Sequence, residues 1–136
     1  MKLIRTLFVV SAVGTGLALI QPMQPSSARA DDSKAAPKFS EDVGPFLKKY
    51  CSNCHGGDKP KAGIVLDGSY DGLMKATRKS KPIVTASSTS KSLMYNCISG
   101  SNGAKRMPPP MAQDKPSKDE VKKVGEWIKA GAKNDE

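Results

Sequence analysis

Residues 43–56 read VGPFLKKYCSNCHG, with CSNCH at the centre. Two cysteines two residues apart, with a histidine directly behind the second, suit three chemistries. Cys51, Cys54 and His55 can ligate a metal ion, run thiol–disulfide exchange, or carry a covalently attached haem. The rest of the chain decides between them.

The first thirty residues give an address. Lys2 and Arg5 precede an uncharged, mostly apolar run at 7–20, LFVVSAVGTGLALI; Pro22 breaks it, and the segment closes on Ala28-Arg29-Ala30. The run is shorter than the roughly 20 apolar residues that cross a bilayer. It has the charge, apolar run and small-residue end of a cleaved secretory signal, 1–30. The protein is therefore expected to be exported, to a periplasm or an equivalent space, with no transmembrane segment after cleavage.

Removal of 1–30 takes away Lys2, Arg5 and Arg29, so the net charge falls from +9 to +6, with 19 basic against 13 acidic residues. Only 5% of residues are aromatic. An exported chain of this kind with no recognisable binding motif is not expected to bind nucleic acid. A lysine-rich surface is either plain solvated surface or a means of steering acidic protein partners. About a hundred residues rich in Gly, Pro, Ser and Lys have difficulty building a core unaided. Three cysteines, two of them nearly adjacent, make a poor disulfide framework. A bound group in the middle would resolve this.

The remaining chain reads as a flexible leader at 31–38 and one domain at 39–136. Ser40 has the character of an N-cap, with Glu41 and Asp42 in the first turn. Val43, Phe46, Leu47 and Tyr50 then recur at helical spacing, an inward stripe leading into CSNCH. Gly44 interrupts it, either for a close helix approach or as a tolerated glycine. IVLD and KPIVT are candidates for short extended pieces. YDGLMKAT and SKSLMYNCIS read as short helices, the second presenting Leu93, Met94, Cys97 and Ile98 on one face. Pro108, Pro109 and Pro110 force an extended loop. Ser117 and Glu120 form a capping box for a last helix with the stripe Val121, Val124, Trp127 and Ile128, stopping at Gly131. No sheet of any size is expected.

C-x-x-C-H is the signature of c-type haem attachment. Two thiols one helical turn apart reach both vinyl groups along one side of a porphyrin, and the adjacent histidine falls under the iron. Thioredoxin-like chemistry wants its C-x-x-C at a strand-to-helix junction, whereas here a helix precedes the motif. Cys51, Cys54, Cys97 and His55 would make a Cys3His zinc set, but adjacent Cys54 and His55 must then bend onto one small ion. His55 is the only histidine, which excludes a second histidine from the chain on the other face of the iron. Methionine is the natural distal ligand. Met74 and Met94 read as core filler; Met107 opens the stiff MPPP run and is preferred, with Met111 beyond the prolines as its competitor. Cys97 reads first as a small buried hydrophobe, with a reactive or intermolecular thiol as the alternative.

CSNCH behind an amphipathic helix, then KAGIVLD, KSLMYNCISG, RMPPP and a final helix ending EWIKAGA, resembles the small class I cytochrome c domains. The likeness is greatest to the variety abundant in planctomycetes and attached to larger bacterial enzymes, and it covers residues 39–133. It implies an all-α fold whose N- and C-terminal helices pack across a covalently bound haem. It further implies one haem c per chain, with Cys51 and Cys54 attached, His55 proximal and Met107 distal. The function implied is single-electron transfer by a carrier rather than an enzyme. Lys48, Lys49, Lys59, Lys61, Lys105 and Arg106 flank the haem-binding segments and are expected to dock acidic redox proteins. Two other haem functions compete: a ligand-binding or peroxidase-like subunit with a labile sixth position, and a haem domain docked to a larger enzyme.

Overall fold

Helix begins at Phe39, one residue before Ser40. The computed structural model describes residues 35–135; the expected signal segment 1–30 and residues 31–34 of the expected leader, 31–38, lie outside the described residues. A π-helical turn, Phe39–Val43, runs directly into α1, Gly44–Tyr50. The start is set by burial rather than by a hydroxyl cap. Phe39 is fully buried, its ring 5.2 Å from that of Tyr70 and 5.8 Å from that of Trp127. Lys38 occupies the cap position and donates its N–H to Asp42 Oδ2 at 3.0 Å. Ser40, expected to cap, instead gives its N–H and its hydroxyl to the two oxygens of Asp135, at 2.9 and 2.8 Å.

Beyond α1 the backbone bends at Cys51, and a single further turn, α2, spans Ser52–His55. A 3-10 turn at Lys61–Gly63 follows, then α3 (Tyr70–Lys75), capped by Ser69. The segment 64–67, one of the expected extended pieces, forms no strand. The other contributes to a two-residue pair, β1 (Thr77–Arg78) and β2 (Lys81–Pro82), antiparallel. Helices α4 (Leu93–Ser99) and α5 (Lys118–Lys129) complete the described chain. The described architecture is helix-rich, as an all-α class requires, with one minimal hairpin.

The expected stripes are the buried ones. Val43, Phe46 and Leu47 on the first helix and Val124, Trp127 and Ile128 on α5 are buried, with Tyr50 and Val121 partly so. The capping box at Ser117 and Glu120 is formed in both directions. At the far end of α5, Gly131 takes a left-handed φ of 104°. Its N–H bonds the Ile128 carbonyl while Ala132 N–H bonds that of Trp127, the paired pattern that satisfies the last carbonyls of a helix. The chain then turns back over Trp127, whose Nε1–H donates to the Lys133 carbonyl at 2.9 Å. Tyr70 donates to the Ala132 carbonyl at the same distance.

Two glycines allow the close packing. A Cβ on Gly125 would lie 2.6 Å from the ring of Tyr95, so α4 can approach α5 only over a bare backbone. Gly44 permits a close approach too, but to a loop: a Cβ there would sit 3.2 Å from the Gly68 carbonyl oxygen.

A polar clasp closes the contact between the first helix and α5. The Tyr50 hydroxyl lies 2.9 and 3.0 Å from the two carboxylate oxygens of Glu120. Lys49 reaches Glu120 at 3.5 Å, and Lys123 reaches Asp42 at 2.7 Å. The Ser117 backbone N–H, with help from the Tyr50 hydroxyl and Lys49, brings the Glu120 carboxyl from 4.5 down to about 2. A depressed carboxyl pKa stabilises the fold fully above 4.5, and that contribution is lost as pH falls towards 2. Solvent screens the charged part, because Glu120 is partly exposed. Tyr50→Phe is expected to cost about 1 kcal/mol at neutral pH. In Glu120→Gln, stability should depend less on pH between 4.5 and 2 than in the parent, as read by chemical denaturation across that range.

Candidate functional site

The C-x-x-C-H segment hangs from the end of the helix that the clasp secures. Cys51 N–H bonds the Leu47 carbonyl at 2.9 Å, and the Cys51 carbonyl accepts from Cys54 at 3.1 Å and His55 at 2.9 Å. Cys51 and Cys54 are thus held about one turn apart. Cys51 is half-buried and Cys54 exposed. Gly56 follows because a Cβ there would meet the Ser52 carbonyl oxygen at 2.6 Å. The chain then loops round, and Leu66 N–H returns to the His55 carbonyl at 2.7 Å.

His55 is gripped from one side of its ring. Nδ1 lies 3.0 Å from the Lys61 carbonyl oxygen and 3.3 Å from that of Ile64. Nδ1 faces two acceptors and so is the donor, and in the neutral ring that tautomer leaves the lone pair on Nε2. Such carbonyl orientation is how a ligating imidazole is fixed in its tautomer. Nothing in the sequence pointed to Lys61 or Ile64 here, since a backbone carbonyl has no residue signature.

Thiol chemistry fits the site poorly. Burial, helped by Cys54, pushes the Cys51 thiol up to about 12, and burial also raises that of Cys97. Exchange chemistry needs the opposite, a stabilised thiolate. Among the described residues no three His, Cys, Asp or Glu side chains gather where a metal ion could sit. The Cys3His zinc arrangement of Cys51, Cys54, His55 and Cys97 is therefore not assembled.

The methionines separate clearly. Met94 is buried in the core and Met74 packs against it, as expected of filler. Met111 is 88% exposed. Met107 is half-buried and its N–H bonds the Cys97 carbonyl at 3.0 Å. The MPPP loop is thereby pinned to α4. Cys97 itself is half-buried rather than buried: the core side of α4 belongs to Met94 and Ile98, while Leu93 and Cys97 lie at its margin.

The other buried position on α4 is Asn96, which the sequence reading passed over. Its amide donates to the Ser90 carbonyl at 2.9 Å and accepts from Ser101 and Asn102, each at 3.1 Å. Ser92, fully buried, bonds Thr85 and Ser88. The serine-rich loop before α4 and the turn after it are thus tied to one helix. An asparagine between two core residues of a short helix was the available signal.

Residues 51–111 match the family described as Planctomycete cytochrome C. The match supports a planctomycete-type cytochrome c domain over this segment. The match opens on Cys51 and closes on Met111, so it takes in C-x-x-C-H and the proline loop; the first helix and α5 lie outside it. No curated protein and no solved structure matches the chain. A cytochrome c domain is a haem-binding unit whose cofactor is haem c, and such domains are typically exported. No helix among the described residues is long and apolar enough to cross a membrane.

Asn96→Ala is expected to destabilise the fold by about 1–3 kcal/mol, the cost of leaving buried groups unpaired. The Met107 amide should lose its hydrogen-exchange protection more than the amides of α5 do.

Proposed function

We propose that this cytochrome c domain is an exported single-electron carrier with one haem c, attached through Cys51 and Cys54 and ligated by His55 and Met107. The haem, when bound, supplies a one-electron Fe(III)/Fe(II) couple, and a methionine thioether raises its potential. The chain's residues do the rest. The helix end presents two thiols at the spacing that thioether attachment needs. The carbonyls of Lys61 and Ile64 leave Nε2 of His55 available as a donor. A loop bonded to α4 holds the Met107 side chain on a stiff backbone.

The observation that carries this reading is the His55 Nδ1 contact to the Lys61 carbonyl, at 3.0 Å. A surface histidine has no need of such orientation; an iron ligand does. Exposure of Met111 favours Met107 as its partner. A peroxidase-like role would need a polar distal group, and the present reading uses the chain's only histidine on the proximal side.

Docking of acidic redox partners falls to Lys59, Lys61 and Lys105 in this reading. Lys49 is engaged with Glu120 and the Tyr50 ring, and the Lys48 stem lies along Gly68. Electron transfer to an acidic redox protein should slow as salt rises; a rate indifferent to salt would remove the docking surface from the proposal.

Met107→Ala should lose the weak red-end absorption band of ferric Met–Fe bonding and turn high-spin, whereas Met111→Ala should keep it. The opposite pattern would reassign the distal ligand.

A further inference from the structure

Beside Met107 the surface folds into a cleft of about 220 Å³. Its floor is apolar, built by Ile98, Met107, Pro108 and Pro110. Its charged lining is Arg106 and Lys115, with no acid. Arg106 and Lys115 are both exposed at the rim of the cleft, and the Arg106 guanidinium folds back towards the chain. Its Nη1 lies so close to Gly100 that a Cβ there would come within 2.5 Å, beside the left-handed end of α4. The negative end of a helix favours a cation at this place. Among the described residues neither Arg106 nor Lys115 takes part in an ion pair.

Two cations outside any ion pair, over an apolar floor, suit a ligand with a flat apolar body and carboxylates at one edge. Haem is such a molecule, with two propionates on the same side of its ring. The cleft is small enough to take that edge and not the whole porphyrin. We infer that Arg106 and Lys115 hold the propionate edge of the haem, beside the loop that carries Met107. The inference rests on the haem reading above and adds two residues to it. Arg106 is thereby a haem-positioning residue rather than a partner-docking one. Both cations also act on the iron electrostatically. Positive charge nearby disfavours the ferric state, so their removal lowers the potential.

The test is a potentiometric titration of the haem-loaded protein as wild type, Arg106→Gln, Lys115→Gln, the double variant and Arg106→Lys. The midpoint should fall in each glutamine variant and furthest in the double one. Arg106→Lys should stay near wild type, and all should retain the Met–iron band. The fall should persist in part at high salt, because a cation in direct contact with a propionate is screened less than one that stands free in solvent. Unchanged midpoints with the band intact would overturn the assignment. A fall abolished by salt would also overturn it, and would mark the cations as exposed docking charges for a partner's carboxylates. Should Arg106→Gln not fold, Lys115→Gln decides in the same way. A colourless wild-type protein would instead sink the haem reading itself.

Discussion

The contact between the first helix and α5 is the constraint on which the site depends. Phe39, Tyr70 and Trp127 form its aromatic centre, and Tyr50 is locked to Glu120 at its edge. Tyr50 is the residue before Cys51. Whatever fixes Tyr50 fixes the start of C-x-x-C-H. The chain has few aromatic residues, and it concentrates them here, where the helix that leads into C-x-x-C-H needs a rigid base. The C-terminal tail adds to the same place by folding over Trp127 and bonding Ser40 through Asp135.

The Met107 loop is secured differently. No long helix supports Met107; a set of side-chain and backbone hydrogen bonds does. Asn96 and Ser92 tie the loops on both sides of α4 to it, and the Cys97 carbonyl holds Met107. Buried polar networks of this kind fix one arrangement when every member is satisfied, and no buried side-chain polar atom among the described residues lacks a partner. The C-x-x-C-H segment is thus held by packing, and the Met107 loop by hydrogen bonds.

Much of this was legible in the sequence. The stripes Val43/Phe46/Leu47 and Val124/Trp127/Ile128, the Ser117–Glu120 box and the C-x-x-C-H motif follow local rules of period, cap and spacing, and those rules act over a few residues. What was missed acts over distance or through the backbone. Ser40 looks like a cap, but its partner is Asp135, 95 residues away. Cys97 lies at the margin of α4 rather than in the core, because the core side of that helix is taken by Met94 and Ile98. The carbonyls of Lys61 and Cys97, which orient His55 and hold Met107, belong to the main chain and so leave no trace in residue type.

The central claim is covalent attachment of haem through two thioethers, and intact mass measurement with a pyridine haemochrome spectrum of the exported protein tests it most directly. The expected result is the mass of the processed chain plus one haem, unchanged by acid–acetone extraction, with the spectrum of two saturated vinyl positions. Attachment should be lost with Cys51→Ala and Cys54→Ala together. A mass equal to that of the bare polypeptide, from cells with a working maturation system, would contradict it.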